Sequence, residues 1–87
     1  MTQVIVENTF EAPLTSEDLQ GMNERGEPCL QVYGVVWRVS YLSLDRRRMV
    51  CHFEAADAEA VRTALRSAAI KFDRVWATEV RLPVARS

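Results

Sequence analysis

Thr2 to Asn8 predicts a strand centred on Val4, Ile5 and Val6, and Ala12-Pro13 ends it. A helix start follows. Thr15 is a good N-cap, Asp18 stands at the third helical position, and Glu17 and Asp18 suit the positive helix end. Leu14 and Leu19 bracket the cap at the spacing of a hydrophobic staple. Leu19, Met22, Cys29 or Leu30, and Tyr33 keep helical spacing. Gly26 and Pro28 interrupt it, and proline both removes a backbone donor and crowds the preceding turn. The expectation is a kink or break near residues 25–28, then a second helical stretch ending at Gly34.

The strongest strand pattern covers Val35 to Ser43. Strict alternation puts Val35, Trp37, Val39 and Tyr41 on one face, and Val36, Arg38, Ser40 and Leu42 on the other. Leu44 to Arg47 predicts a short turn. Arg48 to Glu54 then alternates Met49, Cys51 and Phe53 against Val50, His52 and Glu54. Asp57 caps a second helix running to about Ala69, with Val61, Ala64, Leu65 and Ala68 as its buried stripe. Asp73 to Leu82 predicts the last strand, stopped by Pro83, and residues 84–87 form a tail.

The order strand-helix-strand-strand-helix-strand is the βαββαβ pattern of ferredoxin-like α+β folds. It implies one four-stranded antiparallel sheet with two helices on one face, and a single domain over residues 1–87. The Trp37, Val39, Tyr41 set and the Met49, Cys51, Phe53 set belong under the helices. The other face carries Arg38, Ser40, His52 and Glu54 among Val36, Leu42 and Val50, and Glu7 joins it beside Ile5. That face is too polar for a core and too apolar for open water. It suits a partly dry cavity shared between two copies, in which the polar groups must find partners. A thin core in a chain of 87 residues is a further reason to expect a homodimer.

Candidate chemistry gathers there. His52 and Glu54 lie two apart on a strand, point the same way, and are the candidate metal ligands or proton-moving pair. One histidine and one carboxylate do not complete a metal shell, so a second copy or a substrate must supply the rest. Glu7, Arg38, Ser40, His52 and Glu54 are the candidate ligand-binding residues; no catalytic residue is assigned. Trp37, Tyr41 and Trp76 could stack on a flat ligand, although aromatic residues more often serve packing.

A net charge of -1 gives no reason to expect nucleic acid, and Arg46, Arg47 and Arg48 read as a solvated turn. Two cysteines, Cys29 and Cys51, form no disulfide framework and no zinc-type pair, as in a reduced cytoplasmic protein. No run approaches the length of a membrane span, and Met1 to Phe10 lacks the pattern of a secretory leader.

The stretch Gly34-Val35-Val36-Trp37-Arg38-Val39-Ser40-Tyr41, Asp45 with its basic neighbours, and Cys51-His52-Phe53-Glu54-Ala55 resemble the nickel-binding-protein-like family, domain of unknown function 4242. Asp57 to Arg62, Phe72 to Trp76, Leu14 to Leu19 and Cys29-Leu30 fit it too. The resemblance implies a ferredoxin-like dimer and brings the label nickel-binding, so that the cofactor is left open with a divalent metal such as nickel as the candidate; two of the mixed sheet faces packed together would make a dimeric α+β barrel. Three readings follow. The first is a small-ligand or metal-ion binding protein with its cavity on the helix-free face. The second is a cofactor-free enzyme using His52 as acid or base. The third is a homodimeric interaction module with no ligand.

Overall fold

The computed structural model describes residues 1–84; residues 85–87, part of the expected tail, lie outside the described residues. Six elements follow in order: β1 (Thr2–Thr9), α1 (Ser16–Val32), β2 (Val36–Leu42), β3 (Arg48–Ala55), α2 (Ala58–Ser67) and β4 (Arg74–Thr78). The strands form one antiparallel sheet in the order β2-β3-β1-β4. This is the expected ferredoxin-like α+β arrangement. Val4, Val6, Met49, Cys51, Phe53, Ala55 and Val75 face the helices and join Val61, Ala64 and Leu65 of α2 in the core. β4 stops at Thr78, short of the expected Leu82, because its partner β1 has nearly run out: Thr78 already pairs with Gln3.

The start of α1 follows its sequence signals. Thr15 Oγ1 accepts from Asp18 N at 3.0 Å, and the Asp18 carboxylate accepts from Thr15 N at 2.8 Å. This reciprocal box satisfies two donors and holds the Asp18 carboxyl below its ordinary value, chiefly through the Thr15 backbone bond. The expected break at residues 25–28 is absent: α1 runs unbroken through Gly26 and Pro28. Proline there removes one rung of the ladder, while both helix ends remain capped. Gly26 is the one buried residue of α1, and a Cβ on it would stand 3.3 Å from Ile70 Cδ1. The glycine therefore lets α1 lie close against the turn that follows α2.

Both helices leave through the same turn. Val35 N donates to Leu30 O at 2.8 Å and Gly34 N to Gln31 O at 3.2 Å, with Gly34 at φ 65°. At α2, Ile70 N donates to Leu65 O at 2.9 Å and Ala69 N to Arg66 O at 3.0 Å, with Ala69 at φ 56°. A Cβ is strained in this left-handed region.

The largest departure lies in β2. Trp37 pairs with Phe53 and Val39 with His52, so Arg38 is an extra residue with no opposite number. Beyond this bulge the faces exchange. Ser40 pairs with Cys51 and Leu42 with Met49, on the helix side; Val39 and Tyr41 join His52 and Val50 on the bare side. The expected placement of Val39 and Tyr41 under the helices, and of Ser40 and Leu42 opposite, is thereby corrected. Nor are Trp37, Tyr41 and Trp76 core residues: they are 51%, 67% and 44% exposed.

The arginines of the β2–β3 turn brace a neighbouring loop. Arg46 Nε donates to Leu14 O at 2.6 Å and Arg47 Nε to Phe10 O at 3.3 Å, tying the turn to the β1–α1 connection. Asp45 accepts from Ser43 Oγ and Arg47 N inside the turn.

Ala69→Gly should stabilise the fold by roughly 0.5–1 kcal/mol, because glycine removes the left-handed strain and loses part of that gain to chain entropy. Gly34→Ala should destabilise it by a similar amount. Urea unfolding followed by circular dichroism checks both, and a loss of stability in Ala69→Gly would contradict the strain at that turn.

Candidate functional site

The helix-free face is laid out in rows by strand pairing. One row crosses all four strands as Trp76, Ile5, His52 and Val39. Beside it runs Thr78, Gln3, Glu54 and Val36; on the other side runs Arg74, Glu7, Val50 and Tyr41. His52 thus sits near the middle of the face, flanked by Ile5 and Val39 and half-buried between them.

A chain of polar contacts crosses this apolar setting. Arg38, freed by the bulge, forms an ion pair with Glu54. Gln3 Nε2 donates to Glu54 Oε1 at 2.9 Å. Gln3 Oε1 lies 2.6 Å from His52 Nε2. With its amide nitrogen turned to the carboxylate, Gln3 offers an acceptor to the ring, so a neutral His52 carries its proton on Nε2 and keeps a lone pair on Nδ1. Glu54 is only 18% exposed in its side chain. Its carboxyl is held below the ordinary value of 4.5, first by the Gln3 bond and then by Arg38, against an opposing effect of burial.

Of the expected site residues, Arg38, His52 and Glu54 come together, but His52 and Glu54 do not bond directly: Gln3 joins them. Glu7 shares the face and accepts from Trp76 Nε1 at 2.8 Å, so its carboxylate is committed to the β4 edge. Ser40 does not join the group. The bulge turns it to the helix side, where its hydroxyl donates to Cys51 Sγ at 2.9 Å and accepts from Trp37 Nε1 at 2.8 Å. Gln3 was missed in the sequence, although alternation through Ile5 and Glu7 places it on this face; its partners lie on another strand, 49 and 51 residues away.

For a nickel ion, one chain is a poor host. Both Glu54 oxygens have partners, and the ring of His52 has one free lone pair. Among the described residues, no group of three or more His, Cys, Asp or Glu side chains could hold a metal ion.

Comparison with known proteins gives a family and a fold. The model of the nickel-responsive protein SCO4226-like family matches residues 4–78. The crystal structure of SCO4226 from Streptomyces coelicolor A3(2) superposes with a TM-score of 0.77 at 20% identity, covering 94% of this chain and 99% of that one. No curated protein matches.

The depressed Glu54 pKa has a definite sign for stability. Ionised Glu54 contributes fully above its unfolded value near 4.5, and that contribution fades as pH falls through the lower folded value. Gln3→Leu removes the hydrogen bond that lowers the Glu54 pKa most, so the Glu54 titration followed by carbon NMR should move up towards the ordinary value. An unmoved titration would mean that Gln3 does not support the carboxylate.

Proposed function

This chain belongs to the SCO4226-like family of nickel-responsive proteins, and from that premise we propose that it works as a homodimeric small-ligand or metal-ion binding protein. Two helix-free faces would pack together as an α+β barrel, with the site centred on His52. The carrying observation is the composition of that face: Val36, Val39, Tyr41 and Trp76, all more than a third exposed, surround the polar chain Arg38–Glu54–Gln3–His52. Contiguous exposed apolar surface of this kind favours a partner surface.

A second copy is the fitting partner because of where His52 stands. In a symmetric pair the same patch meets itself, and groups near the axis meet their own copies. His52 lies near the middle of the face, so a two-fold axis through that region would bring two imidazoles together, each with a lone pair on Nδ1. The pooled groups of two chains answer the shortage of donors in one. Nickel accepts imidazole and oxygen ligands, so metal binding in this reading belongs to the dimer. Arg38 would offer a positive charge to the same space, and a small anionic ligand could use it with His52.

Val39→Glu places a charge in the central row and should convert the dimer to monomer, seen by sedimentation equilibrium. Calorimetric titration of the native protein with nickel should give no more than one ion per dimer, and His52→Ala or Val39→Glu should remove that heat. A native protein that sediments as a monomer at high micromolar concentration would overturn the shared-cavity reading. A dimer that gives no heat with nickel, zinc or copper would end its metal form.

A further inference from the structure

α1 does not close on the sheet along its whole length. It meets the turn after α2 at Gly26 and Ile70, and elsewhere leaves a mainly apolar crevice of about 670 Å³ above β2 and β3. Met22 and Leu30 of α1 form one wall, Leu65 of α2 another, and Met49, Cys51 and Phe53 the floor. Its volume falls in the range of roughly 300–1,000 Å³ typical of small-molecule sites. It lies on the opposite side of the sheet from His52 and does not rest on the dimer reading.

Besides Asn8, Asn23, Glu27 and Gln31 in its lining, the crevice carries one short polar chain at its floor. Trp37 Nε1 donates to Ser40 Oγ, and Ser40 Oγ donates to Cys51 Sγ. With its proton committed to sulfur and one lone pair taken by Trp37, the Ser40 oxygen keeps a second lone pair for an incoming donor. The bulge at Arg38 creates this handle, since without it Ser40 would face away from Cys51. Among the described residues, the one charged side chain in the lining is Glu27, exposed to solvent, and it adds only weakly to the disfavour of an anion. Burial also raises the Cys51 pKa, keeping the thiol neutral.

We propose that the crevice between α1 and the β2–β3 strands binds a small, uncharged, mainly apolar molecule with one hydroxyl group, which donates to Ser40. The apolar body lies between Met22 and Leu30 above and Met49 and Phe53 below. The mainly apolar lining favours an apolar body, and the cost of desolvating a carboxylate there, with Glu27 nearby, selects an alcohol over a carboxylate of the same length.

The test uses the full chain with Cys29→Ser, so that Cys51 is its one thiol. The probes are N-phenyl-1-naphthylamine, whose fluorescence rises in apolar sites, and 1-decanol and decanoate as competitors. N-Phenyl-1-naphthylamine should saturate at one per chain, and decanol should displace it at concentrations at least tenfold below decanoate. Filling the crevice with Met22→Trp, or more mildly with Leu30→Phe, should weaken the probe about tenfold or more while circular dichroism stays native. Saturating decanol should slow alkylation of Cys51 by N-ethylmaleimide severalfold, which places the occupant against the floor. Trp76→Ala, on the opposite face, should leave probe affinity unchanged. The proposal is overturned by failure to saturate, by equal binding to folded filled variants, by unprotected Cys51, or by loss of the probe in Trp76→Ala alone. Equal displacement by decanoate would overturn the uncharged-ligand assignment.

Discussion

Between Trp37 and Val39 the edge strand carries one residue more than its neighbour β3 can pair. Side chains on a strand alternate with a period of two, so a single unpaired residue exchanges the faces of everything beyond it. Arg38 is released to reach Glu54. Val39 and Tyr41 turn to the bare face, and Ser40 and Leu42 turn in beneath the helices. The apolar setting of His52 on one side of the sheet and the Trp37–Ser40–Cys51 chain on the other both descend from this irregularity.

The two sides of the sheet then present different chemistry. The bare face holds charged and hydrogen-bonding groups that have partners within the chain, in a setting that is half apolar. Gln3 supplies the linkage: one amide serves a carboxylate and an imidazole together, fixing the ring's orientation and its proton. The helix side holds a mainly apolar crevice, with the Ser40 hydroxyl and the Cys51 thiol at its base. A polar network suits recognition by charge and metal coordination, whereas a hydrocarbon crevice suits recognition by shape and exclusion of water.

The stance of α1 joins these features. It is anchored at its start by the Thr15–Asp18 box, at its middle by Gly26 against Ile70, and at its end by the turn through Gly34. Arg46 and Arg47 hold the loop that precedes it. The helix is thus positioned mainly by its ends and by one close approach, with few side chains buried against the sheet. This support leaves the crevice beneath α1.

The elements that the sequence alone determined are those carried by local signals. Thr15 and Asp57 cap the helices, Val61, Ala64 and Leu65 keep the helical period, and Met49, Cys51 and Phe53 alternate without interruption. From these the βαββαβ order and the sheet follow, as does the placing of His52 and Glu54 on one face. Tertiary structure decided the rest. Gly26 and Pro28 read as a break because their local cost is visible, whereas the contact with Ile70 is made by a residue far along the chain. The bulge at Arg38 is invisible in a pattern that alternates equally well without it, since Trp37, Val39 and Tyr41 are apolar in either register. Only pairing with β3 selects the register, and with it which side chains meet solvent, a second copy or a ligand.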